Sequence, residues 1–142
     1  MAVDSLLVAI DASEGASKAL ELAAGIAAPN PEAHVDVVTV IPIPLLDDQQ
    51  MATFKSILDM MMSDGEDLLA EAVEKIGDVS DRADTLILTG QSPAAEIIKL
   101  IDQRHYDLVV IGNRGLSGLK EYMGSVSHKV LHGSKAPVLI AK

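Results

Sequence analysis

Five short apolar runs recur along this chain: Ser5–Asp11 (SLLVAID), Val35–Ile41 (VDVVTVI), Ala83–Thr89 (ADTLILT), Asp107–Gly112 and Ala136–Ala141 (APVLIA). Each is too short for a buried helix, and they are rich in β-branched residues. A continuous apolar run of this length is the pattern of a strand buried on both faces. The stretches between them carry helical spacing. The resulting β-α-β-α-β-α-β-α-β order predicts one parallel sheet with right-handed crossovers and helices on both faces, an α/β fold.

The helices announce their ends. Ser13 is a predicted N-cap, followed by Ala16, Leu20, Ala23 and Ala27 at helical spacing, stopping before Pro29-Asn30-Pro31. A long helix is expected from about Asp47 to Ile76, with Phe54, Ile57, Leu58, Met61, Leu68, Leu69, Ala72 and Val73 on its apolar side; Gly65 is a predicted kink or interruption. Ser92-Pro93 has N-cap and N1 chemistry for a third helix reaching about Arg104. A fourth is expected over Ser125–His132, with Gly133 as its C-cap. No repeat, low-complexity tract or linker breaks the pattern, so residues 1–142 read as a single domain, able to bury roughly two thirds of the surface its unfolded chain exposes.

Open parallel sheets bind ligands outside the carboxyl ends of their strands, where the strand order reverses. A 3-2-1-4-5 order sets the end of the first strand (Asp11) beside that of the fourth (Gly112), and a flavodoxin-like 2-1-3-4-5 order does not. Periodicity leaves both open.

Charge narrows the ligand. The chain carries a net −10, which argues against nucleic acid or an anionic membrane as partner. Residues 112–142 nevertheless hold five Lys/Arg against one acid, a balance of +4, leaving −14 for residues 1–111. Screening over about 8 Å lets that local charge act on its own. No apolar run approaches the roughly 18 residues of a membrane span, and no basic segment precedes the first apolar run, so a cytoplasmic location is expected. Absence of cysteine removes disulfides and thiolate chemistry.

In that basic quarter the predicted fourth strand runs into Gly112-Asn113-Arg114-Gly115, and Gly124-Ser125-Val126-Ser127 follows. Gly112 and Gly115 allow close backbone approach. Gly124, Ser125 and Val126 offer N–H groups at a helix start, Ser125 and Ser127 add hydroxyls, and Arg114 and Lys129 supply charge. The pattern suits a phosphate-bearing ligand, although it is neither a Walker A loop nor Gly-x-Gly-x-x-Gly. Asp11 is placed to accept from a ribose or adenine, to help hold Mg2+, or simply to favour the following helix N-terminus. His128 and His132 are i,i+4, a spacing that can hold zinc, but without a third ligand they read as surface histidines. His34 and His105 read as loop residues preceding strands. No nucleophile elbow and no receiver-type acidic set is present. The only aromatics are Phe54, Tyr106 and Tyr122, too few for flavin walls.

These segments together resemble the universal stress protein family over essentially the whole length. LLVAIDASEGASKAL, VVTVIPIP, TGQSPAAEII, DLVVIGNRGLSGLKEYMGSVSHKVL and APVLIAK occur in family order. The resemblance implies a Rossmann-like, adenine nucleotide alpha hydrolase-like sheet of order 3-2-1-4-5 and a bound ATP or other adenine nucleotide. It implies adenine and ribose contacts from Asp11, Ala12 and the backbone of Val40. Ile111, Gly112 and Gly115 would line ribose and phosphate, with Gly124, Ser125, Val126 and Ser127 on the phosphates. It further implies a homodimer through the last strands, which can assemble further. Two positions depart from the family pattern: eight residues separate Gly115 from Gly124 where nine are usual, and Ala12 stands where Gly is common. The expected function is a dimeric, ATP-binding regulatory module that reports nucleotide state to a partner such as a transporter or enzyme. The alternatives are a non-nucleotide interaction protein of the same family and a slow ATPase; no catalytic constellation is legible, so an enzyme is not expected.

Overall fold

In the computed structural model, which describes residues 2–12, 14–113 and 125–142, the five apolar runs form strands β1 (Ser5–Ala9), β2 (His34–Pro42), β3 (Ala83–Gly90), β4 (Leu108–Gly112) and β5 (Val138–Ala141). Helices α1 (Glu14–Ala27), α2 (Asp48–Lys75), α3 (Pro93–Arg104) and α4 (Ser125–Gly133) alternate with them, and a 3-10 turn over Gly77–Arg82 leads from α2 into β3. All pairings are parallel and the order is β3-β2-β1-β4-β5. Of the two orders that periodicity allows, this is the one the family resemblance implies.

Alternation along each strand splits the core into two layers. Leu6, Val8, Val35, Val37 and Val110 face α1 and α2, where Ala16, Ala19, Leu20, Ala23, Leu69 and Ala72 meet them. Leu7, Ala9, Val38, Val40, Val109 and Ile111 face the other way, onto Ala94, Ile97, Leu100, Ile101 and Val130 of α3 and α4. The alanine stripe of α1 has little side chain to hold the helix off the sheet.

The structure moves several expected boundaries. β1 stops at Ala9, two residues before Asp11; β4 starts at Leu108 and β5 at Val138. Gly65 does not interrupt α2. It is buried, and a Cβ there would lie 3.2 Å from Ile41 Cδ1 and 3.5 Å from Ile87 Cδ1. The missing side chain lets the helix cross the sheet closely. Ser92 caps α3 through Ala95 N, as its sequence predicts, and Asp47, expected as the start of the long helix, caps α2 in a reciprocal box with Gln50. The expected N-cap Ser13 lies outside the described residues.

Candidate nucleotide site at the carboxyl edge of the sheet

The central strand sets the geometry. Ala9 pairs with Val38 of β2 on one side and with Ile111 of β4 on the other. By that register Asp11, Val40 and Asn113 lie level with one another at the carboxyl edge. Local hydrogen bonds hold this edge: Ile10 N donates to Val38 O at 2.9 Å, Thr39 Oγ1 donates to Ile10 O at 2.9 Å, and Asn113 N donates to Ala141 O at 2.7 Å. Beyond the strands, α1 leaves on one face of the sheet and α4 packs with α3 on the other. In open parallel sheets the point where strand order reverses, here between β1 and β4, is where ligands bind.

The predicted residues distribute along this edge. Asp11 is half-buried and Ala12 exposed; Val40, Ile111 and Gly112 are buried beneath them. Ser125 opens α4 with its side chain exposed, Val126 is half-buried and Ser127 is buried. The first turn of α4 carries no acidic residue of its own to oppose an anion at its positive end. The expected ligands Arg114, Gly115 and Gly124, and with them the shortened glycine loop, lie outside the described residues. A cavity of about 270 Å³ adjoins Asp11 and Ala12 on the α2 side, where Lys75 Nζ donates to Ser17 Oγ at 3.2 Å. Sequence reasoning passed over both residues; their only signal was their place on facing helices. Further along the same edge, Ile43, Leu46, Met51 and Gly90 border a concavity of about 350 Å³.

Gly112 has a structural reason of its own. A Cβ there would sit 2.9 Å from both the carbonyl carbon and oxygen of Gly15, so glycine lets α1 approach the end of β4. The edge thus brings together a half-buried carboxylate, backbone groups at strand ends and a helix N-terminus with hydroxyls, groups of the kind that polar and anionic ligands use.

The opposite, amino edge carries a second polar cluster that the sequence did not disclose. His34, expected in a loop, is the first residue of β2, with Nε2 3.1 Å from Asp36 Oδ1 and 3.1 Å from Asp84 Oδ2. Asp36 is 5% exposed, and its other oxygen accepts from Tyr106 Oη at 2.5 Å and Arg104 Nη1 at 3.2 Å. Burial and this acidic neighbour push the Tyr106 phenol well above its ordinary pKa. The one available signal was the His-x-Asp alternation, which puts both side chains on one face of a strand. His105 proves to be the left-handed C-cap of α3, with φ 56°. His128 and His132 lie on exposed positions with rings 4.4 Å apart, as surface histidines.

The universal stress protein family profile matches residues 3–142. The universal stress protein YxiE of Bacillus subtilis is 35% identical, over 98% of this chain and 99% of that protein. The universal stress protein UspA from Lactobacillus plantarum superimposes with a TM-score of 0.88 at 18% identity, covering 100% of this chain and 99% of the other. A universal stress protein solved in complex with cAMP gives a TM-score of 0.69 at 25% identity, covering 100% and 98%. Among the described residues, no helix is long and apolar enough to cross a membrane.

Proposed function

Because the chain belongs to the universal stress protein family, we propose that it binds ATP or another adenine nucleotide at the carboxyl edge and acts as a dimeric regulatory module in the stress response. The observation that carries this reading is the strand order. It sets the ends of β2, β1 and β4 side by side, with α1 and α4 departing on opposite faces. The cAMP complex of a structurally similar family member supports an adenine ligand in this fold.

In this reading Asp11 accepts from the ribose or adenine, Ala12 and the backbone of Val40 border the base, and Ile111 and Gly112 floor the ribose. Gly115 lines ribose and phosphate, Arg114 supplies a charge-assisted contact, and Gly124, Ser125, Val126 and Ser127 hold the phosphates. Asp11 is also the candidate contact for Mg2+. The module signals rather than turns over its ligand, and its output is a change in a partner protein such as a transporter or enzyme. β5 supports dimerisation: among the described residues it is an edge strand paired only with β4, its Val138, Leu139 and Ile140 are half-buried, and a second copy would cover it.

Calorimetric titration with ATP, ADP and AMP, with and without Mg2+, tests the site. Asp11→Ala and Ser125→Asp should each weaken binding by about tenfold or more, since each removes or opposes a contact to a charged or ribose group. Undiminished affinity in both variants would refute the assignment, and no binding by the parent protein would favour the non-nucleotide interaction role.

A further inference from the structure

We propose that His34, Asp36 and Asp84 form a divalent transition-metal site, of the zinc class, at the amino edge of the sheet. The three residues are set by the backbone. His34 and Asp36 share one face of β2, and Asp84 pairs with Asp36 in the parallel register of β3. Their ligand atoms (His34 Nε2, Asp36 Oδ1 and Asp84 Oδ2) lie within 4.8 Å of one another, with the imidazole nitrogen 3.1 Å from each oxygen. Tetrahedral zinc with bonds of about 2.0 Å separates its ligand atoms by roughly 3.3 Å, so small side-chain adjustments suffice. One imidazole and two carboxylates match zinc and its neighbours in the first transition series better than Mg2+ or Ca2+, which take oxygen alone.

The surroundings are those of a supported ligand. Asp36 is buried, and Tyr106 and Arg104 both hold its far oxygen Oδ2, leaving Oδ1 directed at His34. Outer hydrogen bonds of this kind orient a metal-binding carboxylate and fix its charge. The Arg104 cation sits on the oxygen remote from the site. His34 and Asp84 are exposed, which leaves the remaining coordination position open to water. From Asp36 to Val40 is four strand residues, about 13 Å, so this site is separate from the nucleotide edge.

Titration of the chelator-treated full chain with zinc, by calorimetry and by the imidazole proton signals in NMR, tests the proposal. One equivalent should bind and shift the His34 resonances, and zinc at a hundred times its Kd should raise Tm by about 5–10 °C. His34→Ala and Asp84→Asn, both at exposed positions, should fold normally and weaken zinc by about tenfold or more; Tyr106→Phe should weaken it by about tenfold through Asp36. The double variant His128→Ala/His132→Ala should bind as the parent does. Absence of saturable binding, retention of full affinity in His34→Ala and Asp84→Asn, or loss of binding in the His128/His132 variant would each overturn the assignment.

Discussion

Replacing Gly112 by alanine should destabilise the fold, while the same replacement at Gly25 should stabilise it. At Gly112 the new methyl would meet Gly15 C and O at 2.9 Å and its Cα at 3.1 Å. These are backbone atoms in the first turn of α1 and cannot rotate away. Ordinary contact requires α1 or the end of β4 to retreat by about half an ångström, in an interior packed to crystal density. Overpacking of this kind costs about 1–3 kcal/mol. For a chain of this size that is a fall in Tm of about 4–10 °C. At Gly25, inside α1, nothing lies within 4 Å of the added methyl. The gain there is the lower backbone freedom of alanine in the unfolded chain, about 0.5–1 kcal/mol, or roughly 2–4 °C. Thermal unfolding followed by far-UV circular dichroism, with urea midpoints alongside, reads both. Equal shifts of the same sign, or an unchanged Tm for Gly112→Ala, would refute the close-approach argument.

Gly65→Ala should change stability by less than about 1 kcal/mol, because its nearest neighbours are the movable tips of Ile41 and Ile87, whereas Gly65→Leu should cost about 1–3 kcal/mol by lifting α2; chemical denaturation distinguishes them. Arg82 Nη1 donates to the carbonyls of Ala27, Asn30 and Ala33 at 3.2, 2.7 and 2.9 Å, so Arg82→Ala should cost about 2 kcal/mol in the same assay, and no change would show those bonds idle. Tyr106 has a folded pKa raised above its unfolded value. Its contribution is therefore complete below about pH 10 and is lost as pH rises from there through the folded pKa. Ultraviolet titration of native protein should show a late-ionising tyrosine that Tyr106→Phe abolishes; two tyrosines ionising normally would contradict the buried hydrogen bond to Asp36.

Much of the fold was legible because its signals are local. Both-face burial of β2 wrote itself as VDVVTVI, and the predicted cap Ser92 stands where its side chain bonds. Strand order was not local: nothing in the periodicity of β1 says whether its neighbours are β2 and β4, and the family resemblance supplied that. Gly65 misled because a helix glycine that breaks and one that permits close crossing look alike until the sheet beneath is known. His34 and Asp84 were missed for a related reason, since 50 residues of sequence separate partners that parallel register brings together. At the carboxyl edge, Asp11 and Gly112 were legible from the strand ends and Val40 and Ile111 only through the family resemblance, while Lys75 and Ser17 meet only through the packing of α1 on α2.

The central claim is that a nucleotide lies across the ends of β2, β1 and β4. Titrating isotope-labelled protein with ATP and following backbone amides by NMR tests it most directly. Saturable shifts are expected at Asp11–Ala12, Val40–Ile41, Ile111–Asn113 and Ser125–Ser127, with His34, Asp36 and Asp84 unmoved. Shifts concentrated at the amino edge, or none at saturating nucleotide, would contradict it.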